Sequence, residues 1–224
     1  MDEFCNFYLG LVDYWKAWRF QREVFQAVKE GLINQALIVC RHHPVVTLGK
    51  SGRIENFKIS LNELALKGGQ FFRTERGGDI TYHGPGQLTI YPICNLRRLK
   101  KDIHWYLRCL EEAVISWLGI WGVSGQRRQG LTGVWVGDKK ICSIGVAIDH
   151  WISFHGLSVN IKKSDLSFFS FIRPCGMDIQ MTCLEGELNR QIDIDEAKDG
   201  LVDTLQKILL EKEYPALELS PSLS

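Results

Sequence analysis

No Cys-x-x-Cys pair and no regular cysteine spacing occur in this sequence, although it holds seven cysteines, Cys5, Cys40, Cys94, Cys109, Cys142, Cys175 and Cys183. An odd number without such spacing argues against a disulfide framework and against a cysteine-built metal cluster. Long apolar runs are missing too, and the first residues, from Met1 to Asn6, lack the basic segment and apolar core of a secretory leader. A cytoplasmic location, with no membrane partner, is therefore expected. Net charge is almost absent, with 27 Lys and Arg against 26 Asp and Glu, so no global field recruits nucleic acid. The local basic stretches Arg97–Lys101 and Arg127-Arg128 read as solvated loops, or more sharply as docking points for an acidic protein partner. Internal repeats, low-complexity blocks and linkers are also lacking.

What remains is a chain of 224 residues with 45% apolar and 24% charged side chains. That balance describes one α/β domain with a packed core, here expected over residues 1–214 with a frayed tail from 215 to 224. Apolar spacing predicts an amphipathic helix from Leu11 to Glu30, stopped by Gly31. Gln35–Cys40 and Pro44–Gly49 read as central strands. A short helix over Asn62–Lys67, a strand at Gln70–Arg73 and a helix over Asp102–Leu118 capped by Asp102 follow. Gly133–Val136 and Lys139–Ile148 form a hairpin around Gly137-Asp138, and Trp151–Ile161 adds a third strand interrupted at Gly156, where backbone or ligand comes close. A short helical turn at Asp165–Phe171 and a last helix over Asp195–Leu210 complete the pattern.

The densest punctuation is Arg76-Gly77-Gly78-Asp79-Ile80-Thr81-Tyr82-His83-Gly84-Pro85-Gly86-Gln87. Glycines let a ligand approach the main chain, and Pro85 stiffens the second turn. A Gly/Pro hairpin accounts for the same residues. Cys175 is framed by Pro174 and Gly176, a tight turn that can hold a thiol outward. A nucleophilic thiol needs a nearby cation, and Lys139 and Lys140 are the candidates. Strand alternation predicts Lys140 and Cys142 on one face with Ile141 opposite. A solvated hairpin lysine and a buried turn cysteine remain the plainer account of these positions. His42 and His43 are adjacent, which is not the spacing of a common metal site, so no metal is expected. Cys109, Cys142 and Cys183 read as packing residues, and His155 as structural.

Several motifs together resemble a known family. Arg76–Gln87, Gly133–Val136 with Lys140–Gly145, Phe154–Asn160 and Pro174-Cys175-Gly176 occur in the order found in octanoyltransferases of the lipoate pathway. Leu9–Tyr14 with Ala17 and Gln21, and His43–Gly49, extend the likeness over most of the chain. The resemblance implies an α/β fold shared with biotin and lipoate protein ligases, a mixed sheet flanked by helices in a single domain. It implies an enzyme that carries an octanoyl group from acyl carrier protein, through a thioester on Cys175 with Lys140 as partner, to a lysine of lipoyl domains in 2-oxoacid dehydrogenases and the glycine cleavage H protein. Arg76, Gly77, Gly78, Asp79, Ile80, Thr81, Tyr82 and His83 match the family's substrate-binding loop. Ser143, Ile144 and Gly145, and Gly156, Leu157 and Ser158, match two further binding segments. An amide forms downhill from a thioester, so neither ATP nor metal is expected, and octanoyl-phosphopantetheine enters as substrate. Ser158 departs from the family's frequent alanine, and Met177 follows the Pro-Cys-Gly turn.

Three expectations are finer. N–H groups near Cys175 and in the Gly77-Gly78 turn are the expected oxyanion donors; the acyl slot is expected near Ile80, Tyr91 and Ile144; and His83 is a binding residue rather than the base. The competing readings are an ATP-dependent lipoate or biotin protein ligase, a non-catalytic lipoyl-domain-binding protein and a cysteine hydrolase. The Pro-Cys-Gly turn, the Cys175 and Lys140 pair, and the lack of a triad histidine stand against them in turn.

Overall fold

A computed structural model describes residues 4–211, the side chain of Cys175 excepted. The expected tail from 215 and the domain limit at 214 lie outside the described residues. The first element is a strand that the apolar pattern conceals. β1 (Phe4–Val12) runs parallel to β2 (Gln35–His42), and α1 (Tyr14–Glu30) crosses between them. A register shift between Tyr8 and Gly10, with Gly10 at φ 62°, breaks the two-residue alternation of β1. Leu11, expected in the helix, therefore pairs with Arg41, and α1 begins after Asp13. It stops at Gly31, which takes the left-handed φ of 76° that a side chain would resist.

β3 (Val45–Leu48) leaves the main sheet. It is the middle strand of a second, three-stranded sheet, between β4 (Gln70–Arg73) and β5 (Ile80–His83). α2 (Leu61–Leu66) joins β3 to β4 and starts in a capping box, with Ser60 Oγ accepting the Glu63 N–H at 3.2 Å and Glu63 accepting the Ser60 N–H at 2.8 Å.

β6 (Gln87–Cys94) returns to the main sheet, and α3 (Ile103–Ile120) follows, capped by Asp102 as expected, which accepts the Trp105 N–H at 3.0 Å. The preceding basic stretch is partly spoken for: Arg98 bonds Asn34, and Lys100 and Lys101 lie over the Trp105 and Trp151 rings. An unexpected strand comes next: β7 (Gln126–Arg128) holds Arg127 and Arg128, read from the sequence as loop, and Arg127 pairs there with Glu111 and Glu112. The expected three-stranded meander follows as β8 (Leu131–Val136), β9 (Lys139–Asp149) and β10 (Ile152–Asn160). The main sheet has seven strands in the order β1-β2-β6-β10-β9-β8-β7, antiparallel except for β1 with β2. A 3-10 segment over Lys163–Phe171, a 3-10 turn over Pro174–Gly176, α4 (Leu184–Leu188) and α5 (Ile194–Glu211) close the described chain.

β2 reads as a near-continuous apolar run because both its faces are covered. Leu37 and Val39 face α3 and α5 in the larger core, whereas Ala36 and Ile38 face Ala17, Val24, Phe25 and Val28 of α1. Trp117 of α3 donates its indole N–H to the Ala197 carbonyl of α5 at 3.1 Å, which joins the two helices. Ile80 and Tyr82 of the second sheet form a third cluster with Phe169 and Ile172. The two sheets meet where α1 begins, at Tyr14, and the site lies between them.

Candidate active site

A cavity of about 200 Å³ opens between the sheets. Its second-sheet wall is the turn after Arg76. That turn is held from behind by the residues that follow β3: Gly49 and Lys50 donate their N–H groups to the carbonyls of Asp79 and Arg76, at 3.1 and 2.9 Å. A Cβ on Gly49 would stand 2.4 Å from the Gly78 carbonyl oxygen, so only glycine permits this approach. Thr47 directs the Arg76 guanidinium, accepting NH2 on its carbonyl at 2.7 Å and Nε on its hydroxyl at 3.2 Å. Asp79 is fixed in turn by the Arg53 N–H at 3.1 Å and the Asn56 amide at 2.5 Å. The main-sheet wall is made by residues 143–145 and 155–158, which pair across β9 and β10.

Lys140 stands at the edge of this wall, lining the cavity, while Lys139 is exposed. A bulge puts it there. Val134 pairs with Cys142 and Trp135 with Lys140, so one step along β8 matches two along β9 and Ile141 is the extra residue. Lys140 and Cys142 therefore do not share a face as alternation predicts. Cys142 joins the core with Ile141, while the Lys140 ammonium donates to the Thr132 carbonyl at 2.9 Å and lies 5.5 Å from the Trp135 ring centre.

The backbone of Lys140 also gathers the chain that follows the Pro174–Gly176 turn. Its N–H donates to the Gln180 carbonyl at 2.8 Å, and its carbonyl accepts the Thr182 N–H at 2.9 Å. Asn160 secures the same segment, donating to the Thr182 carbonyl at 2.9 Å and accepting from Gln87 at 3.0 Å. Pro174 lines the cavity with Lys140. The side chain of Cys175 is outside the described residues. Among the others, Cys94, Cys109 and Cys142 are each pushed up to about 12, chiefly by burial, which leaves them as inert thiols.

Two histidines line the cavity. Burial, with His42 and Arg76 nearby, drives His83 well below the usual imidazole range, so it is neutral near pH 7. Its Nε2 lies 3.5 Å from the Thr47 hydroxyl. His155 has an unusual backbone φ of 57° and gives its N–H to Gln21 at 2.9 Å. Burial lowers it as well, and its Nε2 lies 3.4 Å from the Glu75 carboxylate, which His155 chiefly holds down at about 2. We read this pair as an ionised glutamate beside a neutral imidazole, since His155 is 1% exposed and Glu75 reaches solvent. His42, behind them, meets the Val12 carbonyl at 3.1 Å and the Tyr91 hydroxyl at 2.7 Å with its two ring nitrogens.

Residues 13–206 match the family of lipoyl protein ligase A/B catalytic domains. The octanoyltransferase of Thermoanaerobacter sp. (strain X514) is 41% identical over 202 residues, which cover 89% of this chain and 87% of that protein. The octanoyltransferase of Bacteroides fragilis (strain YCH46) is 42% identical over 213 residues, covering 90% and 96%. The chain belongs to the octanoyltransferase family. Membership makes it an acyltransferase, as expected. The fold agrees with the expectation too: a crystal structure of lipoate-protein ligase A bound with ATP superposes with a TM-score of 0.78 at 17% identity, covering 92% of this chain and 85% of that one. The biotin protein ligase of Aquifex aeolicus gives 0.53 at 12%, covering 94% and 71%. At those identities the likeness is one of fold.

The family's motifs divide once they are seen in space. Of the matched residues, Arg76, Gly78–Thr81, His83, Lys140, Ser143–Gly145 and Gly156–Ser158 line one cavity, and so do Ile80, Tyr91 and Ile144 of the expected acyl slot. Gly77 and Tyr82 do not. The Gly77 N–H donates to the Val146 carbonyl at 2.8 Å, and Tyr82 stacks on Phe168 at 4.7 Å in the small core. Oxyanion donors expected at Gly77 and beside Cys175 are engaged, since Gly176 and Met177 donate to Arg173 and Pro174 at 3.0 and 3.1 Å. Gly84 and Gly86 serve the scaffold: a Cβ on either would stand within 2.9 Å of the buried Asp165 carboxyl, which accepts the Gly86 N–H at 2.6 Å. Sequence reasoning gave no site role to Tyr14, Thr47 or His155. All three fall inside family-like motifs, which was the signal that could have found them. Ser158, where the family often has alanine, donates to Gln87 at 2.6 Å and meets Thr89 at 3.2 Å. No helix among the described residues is long and apolar enough to cross a membrane.

Proposed function

We propose that this chain transfers an octanoyl group from acyl carrier protein to a specific lysine of a lipoyl domain, through a thioester on Cys175. One observation carries the reading within the family: Lys140 and Pro174 line the same cavity, and the Lys140 backbone is paired with residues 180–182, just beyond the Cys175 turn. Cys175 Sγ attacks the donor carbonyl, and Lys140 takes the thiol proton. The phosphopantetheine sulfur leaves and receives that proton. One thioester replaces another, so little free energy is needed. The acceptor amine then attacks the acyl-enzyme, Lys140 removes its proton, and Cys175 departs as the thiol. Forming an amide from a thioester runs downhill, and neither ATP nor metal is required. Acceptors are the lipoyl domains of 2-oxoacid dehydrogenases and the glycine cleavage H protein, and the compartment is the cytoplasm, where the free thiols of Cys40, Cys94, Cys109, Cys142 and Cys183 persist.

Incubation with octanoyl-acyl carrier protein, read by intact mass, is expected to give one octanoyl adduct per chain, lost in Cys175→Ala. An adduct retained by Cys175→Ala refutes the nucleophile. Lys140→Ala is expected to slow acylation and transfer by about a hundredfold or more, as loss of a general base does. Transfer to a lipoyl domain should proceed without ATP, and strict ATP dependence would instead identify a ligase.

A further inference from the structure

A charged carboxylate lies beneath the lysine on the opposite side of the sheet. Glu111, on α3, is 1% exposed. Its Oε1 accepts the Gly133 N–H at 3.1 Å. The carbonyl of that same peptide group, on Thr132, accepts the Lys140 ammonium at 2.9 Å. The peptide plane between Thr132 and Gly133 is thus bonded at one end to an anion and at the other to a cation. Its dipole is aligned with both, and each bond strengthens the other.

We infer that Glu111 is a positioning residue that sets the charge state and place of Lys140 through the peptide group joining Thr132 to Gly133. This rests on the proposed role of Lys140 as the proton carrier for Cys175. A lysine that is 6% exposed loses the hydration that favours its ammonium form. The relay offsets that loss, so that Lys140 can hold the proton it takes from Cys175 and stand as an ammonium beside the thiolate.

Residue 133 must be glycine for the relay to close. A Cβ there would stand 2.6 Å from Lys140 Cε and 2.5 Å from the Cys142 carbonyl oxygen, and its φ is 129°. Other charges face the pair from each packed element. On α3, Arg108 meets Glu111 Oε2 at 2.5 Å; on β7, Arg127 meets the same oxygen at 3.1 Å and Glu112 at 2.6 Å. Arg128 lies over the Trp135 ring, which Lys140 also approaches. Cys142 on β9 and Arg76 across the cavity are the others among the described residues. Arg127 therefore tempers the field of Glu111 at Lys140, which provides a second handle.

The test compares pH–rate profiles of octanoyl transfer for the wild type, Glu111→Gln, Arg127→Gln and Lys140→Ala. Glutamine keeps the acceptor for Gly133 but removes the charge. Glu111→Gln is expected to move the limb that reports Lys140 down by about one pH unit, because an anion no longer favours the ammonium. Arg127→Gln is expected to move it up by about half a unit, as a cation is lost and Glu111 is opposed by Arg108 alone. Arg108 and Arg127 are 41% and 28% exposed at their side chains, so both can be solvated when Glu111 is neutral. Should Glu111→Gln fail to fold, an Arg127→Gln midpoint that does not rise overturns the inference. A purely structural Glu111 would lower the rate without moving either midpoint, and unmoved midpoints overturn the inference. Retained transfer by Lys140→Ala would instead remove the proposed dyad, and the relay's function with it.

Discussion

Arg76 is 7% exposed, yet its charge is not stranded. Thr47 takes Nε and NH2, and the Gly77 carbonyl takes NH1 at 3.1 Å, so the second sheet sets the plane of the guanidinium against the cavity. Lysine has no fork with which to repeat this arrangement. Arg76→Lys is expected to raise KM for the octanoyl donor about tenfold, the equivalent of one charge-assisted hydrogen bond, with a smaller change in kcat. Steady-state kinetics check it, and an unchanged KM would make Arg76 scaffold. Lys140 was legible as a candidate from the Lys140–Gly145 run, but its direction was not. That depends on the bulge at Ile141, which is a relation between β8 and β9 that neither strand's own alternation contains.

At the scale of elements, the two glycine turns of residues 76–87 do different work. Gly49→Ala would force a methyl group against the Gly78 carbonyl at 2.4 Å and displace the turn that walls the cavity. It is expected to raise KM for the donor severalfold or more, with a stability loss of about 1–3 kcal/mol from overpacking. Gly86→Ala would press on Asp165 and Lys162 instead. It should lower the unfolding midpoint while leaving KM nearly unchanged. Thermal unfolding and steady-state kinetics on the two variants separate the cases, and a shift of KM in Gly86→Ala alone would reverse the assignment. Helices α3 and α5 and the meander were legible because their apolar periods are regular. β1 was not, since its bulge at Gly10 disrupts the period, and β3 read as central without revealing which sheet it centres.

Across the whole molecule, the buried histidines couple folding to acidity. His42 is held at about 4 by burial, and His83 and His155 are also lowered. In the unfolded chain such groups protonate near about 6.5. Above that pH both states are neutral and stability is unaffected. As pH falls from about 6.5 toward 4, the unfolded state binds more protons than the folded one, and stability is lost. His42 alone is expected to remove roughly 2 kcal/mol between pH 6.5 and 5. The held-down Glu75 adds a further loss at lower pH, between the ordinary carboxylate range and about 2. Urea unfolding at pH 7 and pH 5 measures the effect. Equal stability at the two values would show that these rings take up protons while folded.

The sequence by itself determined the family, helices α3 and α5, the three strands of the meander, and the candidates Cys175 and Lys140, because motifs and apolar periods are written in neighbouring residues. Tertiary structure decided which glycines wall the cavity, which face Lys140 takes, and how Glu111 reaches it. These depend on the approach distance and register of segments far apart in the chain. Gly49 meets Gly78 across two strands, and Glu111 meets Gly133 between a helix and a sheet. Such contacts have no local period to betray them, and they exist only when packing brings the segments together.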